Sequence, residues 1–322
     1  MRDMWNICCS FVSNYEEMRQ VIGIGETTLD IIFRHEQPEV AVPGGSCFNS
    51  IISLGRAHVP CLFVGYTGGD IVGRQTIDYL RANGVGTDFF EAREGEKSAV
   101  SLAYLNEQSD AEYVFYKPVP NVSPISPIPT FHDGDAMLYG SYYAICPHTH
   151  VQVERMLQAA SAADATVYYD LNFRSSHKHE LPELLPTIHS NFHQSTIVRG
   201  SADDFEIMYG ERDARRVYEQ HIRAHCPIFI CTSGPGVITV CTPRLCIDYP
   251  VPPVEAVSTV GAGDNFNAGF LYGMFREGIT KSDLPALSEE VWRRLLAYGC
   301  RFAAEACQSQ FNSISPEFAE KL

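Results

Sequence analysis

A carboxylate follows three small residues near the carboxyl-terminal end of the chain. In the stretch STVGAGDNFNAGF (258–270), Gly261, Ala262 and Gly263 precede Asp264, and an apolar run typical of a helix follows. The first N–H groups of a helix lack partners within it and carry partial positive charge, so small residues there leave room for an anion. Asp264 would repel that anion and is better suited to orient a neighbouring hydroxyl. The pattern predicts phosphoryl transfer, although a plain turn with Asp264 as helix cap is the alternative.

A second glycine pair lies near the start of the chain, in VPGGSCFN (42–49). Gly44 and Gly45 precede a helical run with Asn49 in its first turn, and Asp30 ends the stretch VIGIGETTLD. Ligands of open parallel sheets bind beyond the carboxyl ends of the strands. Carboxylate and amide groups hydrogen-bond to hydroxyls. We therefore expect a polyol pocket here, with a tight turn and a helix cap as the alternative.

The glycines Gly23 and Gly25 raise a competing hypothesis, a dinucleotide-binding GxGxxG turn. The position of its third glycine is occupied by Thr28, and no helical pattern follows directly. Because that glycine allows close packing of helix and strand, the sequence disfavours a nicotinamide-dependent enzyme.

Strands and helices alternate along most of the chain, which favours a parallel sheet with helices on both sides. Two predicted strands, SAVSLAYLN and AEYVFYK, interrupt this alternation and are joined by EQSD at 107–110. We predict one α/β domain over 20–322, preceded by an extension over 1–19, with a small β lid from 31–43 and 86–117. The predicted strands are 20–26, 61–68, 136–140, 165–172, 195–199, 227–234 and 237–242, and the predicted helices are 45–58, 70–84, 147–163 and three that begin near 202, 263 and 287.

Composition narrows the classes of partner. The 322 residues carry a net charge of −15, which argues against nucleic acid and anionic membranes as main partners. The chain has no apolar run long enough to span a membrane and no signal-peptide pattern. Most of the eleven cysteines lie in apolar runs without metal-ligand spacing, so we expect reduced, buried thiols and a cytoplasmic protein.

The motifs GGSCFN and GAGDNFNAGF, about 220 residues apart, resemble the two signatures of the ribokinase-like (PfkB) carbohydrate kinases. The resemblance extends from about 20 to 316. It implies a three-layer α/β/α fold with a mostly parallel sheet and a β lid that covers the sugar. It also implies transfer of the γ-phosphoryl group of ATP, with Mg²⁺, to a sugar hydroxyl.

The resemblance implies a role for each motif residue. Asp264 is the catalytic base, and Gly261, Ala262 and Gly263 form the anion hole. Asp30, Gly44, Gly45, Asn49 and Arg174 contact the sugar. The residues implied for the nucleotide are Asn172, Ser201, Thr232, Gly234, Gly236, Ala304 and Cys307, and the residue implied for magnesium is Asp204.

The stretch YDLNFR, with Asp170, Asn172 and Arg174, resembles the fructokinase and 2-keto-3-deoxygluconate kinase branch. The three polar residues would share one face of an extended segment; a solvated strand end is the alternative. Arg174 would pair with a sugar carboxylate if it faces the sugar, or with phosphate if it faces ATP. Because Glu26 and Asp30 would repel a sugar carboxylate, we expect a neutral hexose, fructose first, with 2-keto-3-deoxygluconate as the alternative.

Two departures from the family pattern qualify these expectations. Ser258 stands where the family usually has an Asp that helps hold a monovalent cation, so activation by K⁺ is left open. The family's Asn-x-x-Glu motif aligns with Ser201 to Asp204. These changes motivate a second hypothesis, a non-catalytic sugar- or nucleotide-binding protein. The aromatic lid strands further predict a homodimer formed through the lid.

Overall fold

In a computed structural model of the chain, which describes residues 19–106, 111–118, 124–309 and 311–322, nine strands form the main sheet. Their spatial order is β13-β12-β11-β10-β9-β8-β1-β4-β5. The strands from β11 to β5 in this order pair in parallel, whereas β12 and β13 extend the sheet as an antiparallel edge. Their bounds are β1 (Val21–Ile24), β4 (Cys61–Gly68), β5 (Phe90–Arg93), β8 (Ala136–Gly140), β9 (Thr166–Asp170), β10 (Ile197–Ser201), β11 (Ile228–Ser233), β12 (Val237–Cys241) and β13 (Cys246–Pro250).

Helices cover both faces of this sheet because its strands are apolar on both sides. Tyr168 and Tyr169 in β9 show the alternation, since they are fully buried in two separate hydrophobic clusters. The first cluster contains α1, α7 and α8, and the second contains α3, α4 and α5. The helices are α1 (Ser46–Arg56), α2 (Ile71–Ala82), α3 (Pro147–Ala162), α4 (Leu181–Gln194), α5 (Ala202–Tyr209), α6 (Ala214–Val217), α7 (Ala262–Arg276), α8 (Glu289–Cys307) and α9 (Pro316–Ala319).

A second, four-stranded sheet forms the lid, and we call it the lid sheet. Its order is β3-β2-β6-β7, with β2 (Thr28–Arg34), β3 (Gln37–Gly44), β6 (Val100–Leu105) and β7 (Ala111–Tyr116). The predicted mostly parallel α/β fold with a small β lid is confirmed. The predicted lid range 86–117 is wrong at one segment. Phe90–Arg93 pairs in parallel with β4 and therefore belongs to the main sheet. The connection at 107–110 and all of the predicted extension except residue 19 lie outside the described residues.

The predicted chemistry of the cysteines is wrong at one pair. Cys241 and Cys246 form a disulfide, because the β12–β13 register places them directly opposite each other. The other seven cysteines within the described ranges are free and buried, as expected. Within the same ranges, the helices are all too short or too polar to cross a membrane.

Candidate active site

The two glycine motifs meet beyond the carboxyl ends of the main-sheet strands. The first turn of α1 lies against the first turn of α7, although the two are separated by more than 200 residues. Ser46 and Asn49 of α1 both donate hydrogen bonds to the carboxylate of Asp264 in α7. The fold therefore builds a single site from the first and last predicted motifs.

Asp264 is oriented by α1 and does not cap its own helix. Its Oδ1 accepts a hydrogen bond from Ser46 Oγ at 2.8 Å, and its Oδ2 accepts one from Asn49 Nδ2 at 2.8 Å. The N-cap of α7 is Gly261, which makes no side-chain cap. The alternative of a plain helix cap is therefore wrong, because Gly261 occupies the N-cap position and Asp264 lies inside the first turn of α7.

Burial changes the acidity of Asp264. It raises the pKa of this carboxyl to about 6; the hydrogen bond from Asn49 lowers the pKa, and the charge of Asp170 raises it. A helix N-terminus favours the charged form of a carboxyl group, yet desolvation is the larger effect on Asp264. At pH 7 a carboxyl with this pKa is still about nine-tenths ionised. Asp264 thus combines an ionised resting state with enough basicity to accept a proton.

The glycines before Asp264 are required by close packing as well as by backbone angle. Gly261 has a φ of +77°, a region that favours glycine, and a Cβ there would lie 3.0 Å from the carbonyl oxygen of Asn312. A Cβ on Gly263 would lie 3.0 Å from both terminal nitrogens of Arg199. The Ala262 N–H donates to the carbonyl oxygen of Thr259 at 3.2 Å, and the N–H groups at the start of the helix have no partner within it. The loop is therefore suited to receive an anion.

The expected polyol pocket centres on a buried carboxylate that is already well supplied with donors. Asp30 accepts hydrogen bonds at Oδ1 from Thr28 (2.6 Å) and Ser101 (2.5 Å), and at Oδ2 from Asn312 (3.0 Å). Burial raises its pKa, whereas these hydrogen bonds lower it. Since a carboxylate has about four acceptor positions, room remains for one more donor. Contact between Asp30 and a sugar hydroxyl stays a prediction.

The glycine pair beside Asp30 has a clear packing reason. A Cβ on Gly44 would lie only 2.0 Å from Oδ2 of Asp30. Gly45 has a φ of +136°, and a Cβ there would lie 2.4 Å from the carbonyl oxygen of Glu26. Both positions therefore require glycine, because any larger side chain between β3 and α1 would clash with Asp30 or with the backbone of Glu26.

Arg174 lies beneath the lid sheet, on the same side as Asp264. Its guanidinium carbon is 5.9 Å from the ring centre of Tyr113 in β7, and its charge lowers the pKa of Asp264.

The prediction that Asp170, Asn172 and Arg174 share one face of an extended segment is wrong. β9 ends at Asp170, and Asn172 turns the chain with a φ of +39°, its amide donating to Ser141 at 2.8 Å.

Several residues predicted to contact the nucleotide lie together at the ends of β10 and β11. Ser201 and Thr232 are register partners in these neighbouring strands. Gly234 and Gly236 form the following turn, and a Cβ on Gly234 would meet no atom within 4 Å. This open turn leaves space for a ligand, and contact of these residues with a nucleotide stays a prediction.

The other two residues predicted to contact the nucleotide, Ala304 and Cys307, lie in the last turns of α8. The carbonyl oxygen of Cys307 accepts hydrogen bonds from the backbone N–H groups of Val257 (2.7 Å) and Ser258 (3.2 Å). The Cys307 thiol is buried. The end of α8 therefore holds the segment that leads into the α7 glycine loop, and contact with adenine stays a prediction.

The expected magnesium residue also has a structural task. Asp204 is buried, accepts a hydrogen bond from the Ser201 backbone N–H at 2.6 Å, and forms a capping box for α5. Burial raises its pKa to about 6. Among the described residues there is no cluster of three or more acidic, histidine or cysteine side chains that could hold a metal. Contact between Asp204 and Mg²⁺ stays a prediction.

A buried polar group behind the site was not predicted from the sequence. Arg199 donates to Asp170 Oδ1 at 2.9 Å, Asn267 donates to Asp170 Oδ2 at 2.7 Å, and Tyr168 donates to Asn267 at 3.0 Å. The only signal in the sequence was a single arginine in the apolar strand STIVR. Ser46 and Asn312, which are not distinctive by residue type, were also not predicted.

Comparisons with known proteins agree with this architecture. Residues 18–317 match the family described as "pfkB family carbohydrate kinase". A fructokinase of Rhizobium leguminosarum bv. trifolii is 24% identical over 282 residues, which cover 85% of each chain. The crystal structure of Vibrio cholerae O395 fructokinase with fructose, ADP and calcium has a TM-score of 0.80 and 20% identity, and covers 92% of this chain and 94% of that one. The crystal structure of Salmonella enterica aminoimidazole riboside kinase with its riboside and an ATP analogue has a TM-score of 0.79 and 21% identity, over 94% and 99% of the chains.

The three-layer fold, its lid sheet and the helix start beneath it define a class of phosphoryl-transfer enzymes that act on small molecules. Within that class, the chain belongs to the pfkB family of carbohydrate kinases. It is accordingly an ATP-dependent sugar kinase.

Proposed function

We propose that this enzyme is a fructokinase-like hexose kinase in which Asp264 accepts the proton of the attacking sugar hydroxyl. The observation that carries the proposal is the carboxylate of Asp264, held by Ser46 and Asn49 beside the glycine loop of α7. The matched fructokinase relative supports the substrate class. Asp264 orients the hydroxyl. As the bond from the hydroxyl oxygen to the γ-phosphorus forms and the bond from that phosphorus to ADP breaks, ADP leaves and the hydroxyl proton passes to a carboxylate oxygen of Asp264.

The remaining residues divide the other tasks. The N–H groups of Gly261, Ala262 and Gly263 would stabilise charge on the transferred phosphoryl oxygens. Mg²⁺, when bound with ATP, neutralises charge on the phosphates, and Asp204 would reach it through a water. The lid sheet excludes water from the acceptor side and so limits hydrolysis of ATP.

A substrate panel tests the proposal directly. The purified chain with ATP and Mg²⁺ is supplied in turn with fructose, glucose, ribose, 2-keto-3-deoxygluconate and aminoimidazole riboside, and release of ADP is measured. We expect the highest kcat/KM with fructose. A non-catalytic binding protein would bind a sugar or ATP without sugar-dependent release of ADP, and that outcome would overturn the proposal.

Arg174 tests the choice between a neutral and an acidic sugar. A role for Arg174 on the acceptor side is supported by its contact with the Tyr113 ring and by its charge, which lowers the pKa of Asp264. We expect Arg174→Ala to lower kcat with fructose about tenfold, the size of one interaction with a charged group. The control is Lys178→Ala, which removes a nearby exposed cation and should leave kcat unchanged. A wild-type enzyme that phosphorylates only the acidic sugar, with Arg174→Ala losing affinity for it, would make the fructose proposal wrong.

We further propose a homodimer formed through the outer face of the lid sheet. The Ser101 side chain points inwards to Asp30. Successive side chains of a strand point to opposite faces, so Tyr104, three residues later, lies on the outer face of the lid sheet. Tyr104, Val114 and Tyr116 are 39%, 42% and 61% exposed, and this apolar face supports an interface.

Sedimentation at micromolar concentrations should give twice the chain mass of 35.9 kDa. Tyr116→Glu should shift the mass to that of one chain, whereas Ile71→Glu, on exposed α2, should not. A wild-type monomer throughout this range would contradict the dimer. We also propose a cytoplasmic location, which the seven free, buried thiols of the described residues support.

A further inference from the structure

Arg199 is a charged residue in an unusual place, the middle of β10. Its side chain is nearly inaccessible, with the residue 6% exposed. One terminal nitrogen donates to Asp170 Oδ1 at 2.9 Å, and the other donates to Thr232 Oγ1 at 2.8 Å. Its Nε is buried and has no hydrogen-bond partner among the described residues. The guanidinium is thus fixed in direction by two neighbouring strands.

This guanidinium lies against the start of α7. A Cβ on Gly263 would be 3.0 Å from each of its terminal nitrogens, so the absence of a side chain there admits the arginine. A cation beside a helix N-terminus opposes the helix dipole. Buried ion pairs are also seldom more stable than apolar side chains of similar size. Fold stability therefore does not explain why an arginine occupies this position.

Asp170 is the ion-pair partner of Arg199 and also contacts α7. Its second oxygen accepts a hydrogen bond from the amide of Asn267 at 2.7 Å. That amide belongs to α7, one turn beyond Asp264, so the same carboxylate links Arg199 to the helix that carries the candidate base. An anion arriving at the first turn of α7 would meet the helix terminus and the guanidinium behind it together.

We propose that Arg199 is a positioning residue for phosphoryl transfer, which fixes the Gly261–Gly263 loop from behind and adds positive potential where charge develops on the phosphoryl group. This inference rests on the proposed role of the loop and of Asp264. Arg199 acts through the backbone of Gly263, and its own orientation comes from Asp170 and Thr232. Because Asp170 and Thr232 already hold the guanidinium in place, it needs no reorganisation when charge develops on the phosphoryl group.

The test separates a role in the reaction from neutralisation of Asp170. Arg199→Met alone leaves Asp170 buried without its charged partner, so the decisive variant combines Arg199→Met with Asp170→Asn and removes both charges. We expect kcat of the double variant to fall on the order of 10- to 100-fold, with the KM for sugar changed less than about twofold. Arg199→Lys keeps the positive charge but lacks the planar guanidinium that donates to two partners at once. Its kcat should lie between those of the double variant and the wild type.

Controls keep this outcome interpretable. Arg155→Met removes a partly buried arginine of α3 remote from the loop, and its kcat should stay at the wild-type value. Thermal melting shows which variants fold. A folded double variant with wild-type kcat would mean that Arg199 only balances Asp170, and would overturn the inference. If Asp264→Asn also kept its activity, the proposed function itself would fail, so the two failures are distinguishable.

Discussion

Asp264→Asn should lower kcat by a factor on the order of 10² or more, because it removes a positioned proton acceptor. Asparagine has nearly the same size, and its oxygen can still accept one of the two hydrogen bonds from α1. Its amide cannot take a proton from a sugar hydroxyl at neutral pH. Binding of ATP, measured by calorimetry, should persist since the glycine loop is unchanged. Turnover near the wild-type value would exclude Asp264 as the base.

The same prediction has a pH signature. Burial raises the pKa of Asp264 to about 6, and the proton acceptor must be ionised. The kcat of the wild-type enzyme should therefore fall as the pH drops through about 6, and stay level above 7 until other groups titrate. The residual activity of Asp264→Asn should lack this acidic limb. Ser10→Ala, in the part of the chain preceding the kinase fold, is a control that should leave both plateau and limb in place.

Gly44→Ala should raise the KM for the sugar about 5- to 150-fold. The new methyl group would lie 2.0 Å from Oδ2 of Asp30 and 3.2 Å from the amide nitrogen of Asn312. The carboxylate must move, which breaks the hydrogen bonds that fix it. Overpacking of this kind costs about 1–3 kcal/mol, and each 1.4 kcal/mol is about a factor of ten in affinity.

Steady-state kinetics with each substrate varied would show where the change acts. The KM for ATP should change less than about twofold, because the glycine pair lies on the acceptor side. Gly86→Ala is the matched control: its methyl group would lie 3.1 Å from Cβ of Leu62, away from Asp30. It should lower the melting temperature slightly and leave both KM values unchanged. An unaltered KM for the sugar in folded Gly44→Ala would place the acceptor elsewhere.

Local sequence pattern was sufficient for most elements of the main sheet. The runs that became β1, β4, β8 and β11 are apolar and bounded by turn residues, and such runs form buried parallel strands in many contexts. The elements that were missed include α4 and β13. Pro182 and Pro186 obscure the helical pattern of α4, and the polar residues of β13 reflect its place at the edge of the sheet. In both, tertiary packing outweighs local preference.

The sequence by itself determined the two glycine motifs and the position of Asp264 in a first helical turn, since glycine spacing and helix starts are local properties. Only the tertiary structure decided which groups meet there. Asp264 is bonded to Asn49, 215 residues away, and the pairing of β10 with β9 brings Arg199 to Asp170. These contacts depend on strand order and on the face to which each side chain points, and a shift of one residue in register reverses that face. No local pattern contains that information.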